Sequence, residues 1–178
     1  MKKKHILILS LLVVGILLMA SIPPNLQMPV KGAGRVDYDQ QAFWAYPWGK
    51  SVTHKGVDIF AKRGTGVSPA ESGIVVYTGQ FSLGGNVVLV MSAGWRLHYY
   101  AHLDAIDIRV GRLVSKTDHI GSVGTTGNAA GKPAHLHYSI QNCLPYWWKM
   151  DSGVQGWKKM FYINPIPLLN EATASKAL

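Results

Sequence analysis

The chain has 178 residues, one domain's worth, with 18 Lys+Arg against 9 Asp+Glu for a net charge of +9, and a single cysteine. One cysteine excludes an intrachain disulfide and a thiolate zinc ribbon. A body rich in aromatic and β-branched residues excludes collagen-like, coiled-coil and largely disordered chains.

The N-terminus reads as an export signal. Lys2, Lys3 and Lys4 precede an uncharged run over residues 6–22, 17 residues long. A cleaved signal has an apolar core of about 7–15 residues and a small-x-small cleavage site. This run is longer, and Met19-Ala20-Ser21 does not place small residues at both positions. Its length matches the roughly 17–25 residues of a spanning helix. Residues 1–22 are therefore expected to be an uncleaved anchor, with a cleaved signal peptide as the alternative. The lysines would stay cytoplasmic and everything after Pro23 would be outside. No cysteine follows the run, which argues against a lipoprotein. Without residues 1–35 the chain keeps 13 basic and 9 acidic residues, so its charge falls to +4. That suits an anionic cell envelope. No basic helix or aromatic RNA-binding motif points to nucleic acid.

Residues 23–43, opening on Pro23-Pro24, read as a linker. From Trp44 on, short β-rich runs alternate with glycine punctuation. Ile74-Val75-Val76-Tyr77-Thr78 ends at Gly79, and Gly84-Gly85 precedes Asn86-Val87-Val88-Leu89-Val90-Met91. Residues 95–102 and Leu136-His137-Tyr138-Ser139-Ile140 alternate in the period of a strand. This spacing predicts an all-β, mainly antiparallel sandwich or roll. No long helical period is found outside the N-terminal run. The part after Cys143 is rich in aromatics and is expected to pack back on the sheet, with Trp147 and Trp148 as possible substrate contacts. Cys143 reads as core filler.

The histidines carry the chemistry. His54-Lys55-Gly56-Val57-Asp58 is H-x-x-x-D, and His135-Leu136-His137 is H-x-H. On a strand, His135, His137 and Ser139 share one face, and Leu136, Tyr138 and Ile140 share the other. Two imidazoles then point together into an open face. His54 and Asp58, four apart, also share a face, and Gly56, Val57 and Ile59 argue against a helix there. Taken alone, an H-x-H strand is more often without a metal. The two patterns together suit zinc, which takes imidazole and carboxylate and keeps an open position when catalytic. Other catalytic patterns are missing. There is no H-E-x-x-H and no G-x-S-x-G. Gly124-Thr125-Thr126-Gly127 lacks the Lys-Ser/Thr of a phosphate loop. Glu71 and Glu171 are the only glutamates, so a glutamate base has almost no source. By parity with Tyr100 and His102, His98 could reach the same face. His119 sits in a charged turn and reads as solvated.

Four motifs occur in order: His54-Lys55-Gly56-Val57-Asp58-Ile59, Tyr100-Ala101-His102-Leu103, Gly121-Ser122-Val123-Gly124-Thr125-Thr126-Gly127 and Pro133-Ala134-His135-Leu136-His137-Tyr138. Together they resemble the lysostaphin-type (LytM-like) zinc metallopeptidases, which cut peptide cross-links of bacterial peptidoglycan. The resemblance covers roughly residues 44–168, the expected metallopeptidase domain, and leaves 169–178 as a tail. It implies a β fold with a zinc-containing groove, Zn2+ on His54, Asp58 and His137, and catalytic roles for His102 and His135. In that scheme His135 takes a proton, and His102 holds the attacking water or stabilises the oxyanion. Three departures stand out. Gly131-Lys132-Pro133-Ala134-His135 is longer than the commoner Gly-Pro-His, Ser139 replaces a frequent acid, and Thr117-Asp118-His119 lacks the usual glycine. The expected protein is an exported zinc endopeptidase of peptidoglycan, held in the cytoplasmic membrane by residues 6–22. The alternatives are a zinc D,D-carboxypeptidase, which needs a glutamate near the last histidine, and a non-catalytic wall-binding or regulatory module.

Overall fold

The computed structural model describes residues 2–174. Helix α1 (Lys2–Ala20) is long and apolar enough to cross a membrane, and its apolar side chains lie exposed. Nine strands follow among the described residues: β1 (Val57–Phe60), β2 (Gly66–Val67), β3 (Gly73–Phe81), β4 (Gly85–Ser92), β5 (Arg96–Ile106), β6 (Leu113–Val114), β7 (Gly121–Val123), β8 (His135–Asn142) and β9 (Tyr162–Ile163). Helix α2 (Pro165–Ala174) closes the described chain.

The strands form one antiparallel sheet in the order β1-β8-β5-β4-β3-β6. β7 joins β5 and carries β2, while β9 lies on β8 beyond the end of β1. The fold is therefore the antiparallel β architecture expected from the alternation. Val57, Ile59, Val88, Val90, Tyr100, Leu103, Leu136, Tyr138 and Ile140 lie in one core cluster and are inaccessible to solvent. Each such side chain contributes on the order of 1.5–3 kcal/mol by leaving water. Their neighbours in sequence point to the opposite face, where the site lies.

Two segments differ from the sequence reading. Residues 23–43, expected as a linker, pack against the sheet. Leu26, Met28 and Val30 are buried at every second position, and so are Tyr38 and Ala42. The backbone pairs along its path, with Gln27 N–H donating to Ala70 O at 2.8 Å and Ser68 N–H to Pro29 O at 2.9 Å. The prolines hid this strand-like alternation. In addition, α2 is a helix that the search for long periods passes over. Asn164 Oδ1 accepts from Ile166 N–H at 3.0 Å, and Pro165 opens the first turn. An asparagine cap before a first-turn proline is a helix-start signal. Ile166 and Leu169, three apart, then bury one face. The expected tail thus begins inside a packed helix, and its last four residues lie outside the described residues.

A buried polar cluster ties residues 22–25 to the sheet. Arg96 Nη2–H donates to Glu71 Oε1 at 2.8 Å, and its Nη1–H to Ile22 O at 2.8 Å. Asn25 N–H and Ser92 Oγ–H also donate to Glu71, and His98 Nε2 lies 3.1 Å from Glu71 Oε2. Burial pushes the Glu71 carboxyl up, but the bonds from His98, Arg96, Ser92 and Asn25 reverse this and hold it well below the usual range. A carboxyl depressed in the folded state stabilises fully above its unfolded pKa and loses that stability as pH falls toward the folded value. The Glu71→Gln variant should therefore lose about 3–5 kcal/mol at pH 7, the cost of stranding a buried charge such as Arg96. Urea melts from pH 7 downward should show the gap to the parent chain narrowing below about pH 4. A pH-independent gap would remove the ionic account.

Candidate metal centre

The site grows from the pairing of β1 with β8. Asp58 stands opposite His137 and Phe60 opposite His135. His54 comes from the loop before β1, with its backbone bonded in both directions: His54 N–H to Ala45 O at 3.0 Å, and Trp44 N–H to His54 O at 2.6 Å. Trp48 stacks on its ring at 4.2 Å. Gly56 lets this loop pass under β8. A Cβ there would lie 2.4 Å from Tyr138 O and 3.0 Å from His137 Cε1.

Three donor atoms meet. His137 Nδ1 is 2.7 Å from Asp58 Oδ1, His54 Nε2 is 3.0 Å from the same oxygen, and the two nitrogens are 3.1 Å apart. These are the described residues that group closely enough to hold a metal ion. His54 Nδ1–H donates to Ala42 O at 3.0 Å. A carbonyl only accepts, so the Nδ1 proton is fixed and the Nε2 lone pair faces the carboxylate oxygen. Either a second proton on His54 or a cation between the two relieves that contact. Two imidazoles and one carboxylate, one imidazole oriented by a backbone carbonyl, suit zinc. Burial raises the Asp58 carboxyl, but the bonds and charges of His137 and His54 overcome it and leave Asp58 ionised far into acid. Burial lowers the His137 imidazole against the pull of Asp58.

His102 and His135 flank this cluster, their ring centres 5.0 Å apart. Each is oriented as His54 is. His102 Nδ1–H donates to Thr126 O at 2.9 Å, and His135 Nδ1–H to Pro133 O at 2.8 Å. Both therefore carry a lone pair on Nε2. Burial, then the neighbouring His137 and His135, push the His102 pKa down to about 4. The five side chains lie in one groove of about 660 Å³, lined by Trp48, Phe60, Phe81, Leu83 and Tyr99, with Lys55 and Lys132 beside them. That is room for a small ligand or several residues of a peptide.

His102 enters the groove by a departure from strand parity. Between the pairs Asn86↔Leu103 and Val88↔Tyr100, β5 has one residue more than β4, a β-bulge. At the bulge His102 has φ +62°. Such a bulge re-aims a side chain. Because parity flips there, His98 does not join the groove as its spacing suggested. It lies buried on the far face with Glu71, Ser92 and Tyr138 Oη. His119 is exposed, as expected, and bonds Asp107 at 2.8 Å. Cys143 is exposed, not core filler. Trp147 and Trp148 lie outside the groove lining, against the substrate contact held open for them. Several groove residues escaped the sequence reading, Trp48, Phe60, Phe81, Leu83 and Tyr99 among them. Tyr99 meets His137 edge-on, and its odd parity relative to Tyr100 was the available signal.

A model of peptidase family M23 matches residues 52–151, more than half of the chain. The chain belongs to this family. Its matched M23 region begins just before His54 and includes all five groove residues. The L-Ala–D-Glu endopeptidase of Bacillus subtilis is 36% identical over 115 residues, covering 60% of this chain and 35% of that protein. The peptidoglycan DD-endopeptidase ShyA of Vibrio cholerae is 32% identical over 113 residues, covering 63% of this chain and 26% of that protein. The chain thus spans about a third or less of these relatives. The lysostaphin catalytic domain of Staphylococcus simulans superposes with a TM-score of 0.58 at 27% identity, covering 75% of this chain and 92% of that one.

Gly56 gives a direct check on the geometry. Gly56→Ala should cost about 1–3 kcal/mol through overpacking against Tyr138 and displace the His137 ring. Gly34, with open space around its Cα, is the control, and Gly34→Ala should melt like the parent. Thermal melts of both variants check this; equal melting would mean the close approach is not a constraint.

Proposed function

We propose that this M23 domain is a zinc-dependent endopeptidase that hydrolyses peptide cross-links of bacterial peptidoglycan. The reading rests on one observation: five side chains in a single groove, three converging as metal donors and two offering free Nε2 lone pairs beside them. The endopeptidase activities of the B. subtilis and V. cholerae relatives, the latter on peptidoglycan, support it. His54 Nε2, Asp58 Oδ1 and His137 Nδ1 would hold the zinc. When bound, zinc supplies Lewis-acid polarisation of a carbonyl and acidification of water.

The chain's own residues do the rest. His135 Nε2 takes the proton of the attacking water and returns it to the leaving amine, the general acid–base role that histidine fills most often. His102 is neutral and has its Nδ1 proton committed to Thr126 O. Its Nε2 therefore accepts from the water and orients it, and it has no proton to offer an oxyanion. Phe60, Phe81 and Leu83 exclude solvent and hold apolar parts of the peptide. Lys55 and Lys132 favour acidic stem peptides. The helix α1 would anchor the exported domain in the cytoplasmic membrane through residues 6–22.

The two histidines of β8 should part company on substitution. His137→Ala should lose bound zinc and activity together. His135→Ala keeps His54, Asp58 and His137, so zinc should remain near stoichiometric while activity falls about 100- to 10,000-fold. Metal content measured beside wall-cleavage rate separates them; the reverse pattern would swap the roles.

Chelator should abolish cleavage of purified sacculi, and added zinc should restore it. Mass analysis of the released fragments should show new amino groups within cross-linked peptides. Free D-Ala would mean a carboxypeptidase, and full activity after exhaustive chelation would end the metallopeptidase reading.

A further inference from the structure

At the end of the sheet where α1 arrives, a half-buried tryptophan begins a path that leads to two exposed ones. Trp95, in the turn between β4 and β5, donates its indole N–H to Ile16 O of α1 at 3.2 Å. The next residue, Arg96, holds Ile22 O. Cys143 N–H donates to Trp95 O at 3.0 Å, so the chain leaving β8 starts beside that turn. Residues 144–150 then present Trp147 at 68% exposure, Trp148 at 63%, Met150 at 46% and Leu144 at 36%. Trp148 stacks on Tyr146 at 5.0 Å, and Lys149 covers the Tyr146 ring at 4.9 Å. None of these residues lines the groove.

We propose that Trp95 and residues 144–150 form a second membrane contact, seating the domain on the bilayer beside its anchor. The proposal rests on reading α1 as membrane-spanning. It commits to a lipid surface because of where α1 runs. Ile16 lies four residues before the end of α1, about 6 Å along a helix. With α1 in a bilayer, the indole bonded to Ile16 O sits within about one to two helical turns of the headgroup–acyl boundary. Tryptophan is enriched at that boundary because its ring is apolar and its N–H polar. Residues 144–150 continue from the same turn with two more tryptophans, a leucine and a methionine. Lys149 adds the cation that favours anionic headgroups. Asp151, the acid that follows, is held by Lys159 and Gly153 N–H.

The test uses the full chain in vesicles of phosphatidylcholine and phosphatidylglycerol, with and without acyl chains brominated near the headgroup. Helix α1 contains no tryptophan, so its insertion alone quenches nothing. About half of the tryptophan emission should be quenched, three of the six tryptophans lying at the boundary. The W147F/W148F chain should lose most of that quenching, and W95F a smaller part. The W147F/W148F chain should keep parental melting, since both rings are exposed. A chain that resists carbonate extraction yet shows no quenching overturns the contact and leaves the anchor intact. A chain that carbonate extracts overturns the anchor and the contact together. Emission from Trp147 and Trp148 that responds to soluble wall fragments and not to brominated lipid would make the patch a wall-binding surface and overturn the proposal.

Discussion

The register of β1 on β8 governs both the core and the groove. Val57 and Ile59 face the core opposite Tyr138 and Leu136, so Asp58 and Phe60 must face outward opposite His137 and His135. A slip by one residue would turn Asp58 into the core and Ile59 into the groove. Burial of the apolar set therefore fixes the place of the carboxylate. The loop before β1 brings His54 to the same point only because Gly56 presents no side chain to Tyr138 O.

Three imidazoles in the groove are oriented by the same device. His54, His102 and His135 each give the Nδ1 proton to a backbone carbonyl, of Ala42, Thr126 and Pro133. Each carbonyl belongs to a loop packed on the sheet, so the choice of nitrogen is made by the fold. His98 illustrates the opposite use of the residue. It lies in the core against Glu71, where burial lowers its pKa and Glu71 raises it, and it joins a structural network.

Strand parity on β8 made His135 and His137 legible in the sequence, because Leu136, Tyr138 and Ile140 alternate without interruption. The four motifs carried the resemblance to the peptidases, and the family match agrees with it. The reach to the groove that parity allowed His98 is not realised, because parity counts residues and a bulge inserts one. Nothing in Tyr100-Ala101-His102-Leu103 announces a positive φ at a histidine. The path of residues 23–30 was hidden for a different reason. Its alternation of Leu26, Met28 and Val30 is that of a strand, but it is interrupted by prolines and pairs with residues some 40 positions away. Long-range pairing of this kind has no local signature.

That path has a spatial consequence. Arg96 and Glu71 grip residues 22–25, and Gln27 through Val30 are bonded along the sheet, so no slack chain separates α1 from the domain. From the Trp95 turn, β8 runs back to His137 over about five residues, close to 17 Å at roughly 3.3 Å per residue. In an anchored chain the sheet acts as a ruler. The groove stands at a set height above the lipid, and only molecules in that thin stratum come within its reach. Whatever the groove takes is then selected by altitude as well as by chemistry.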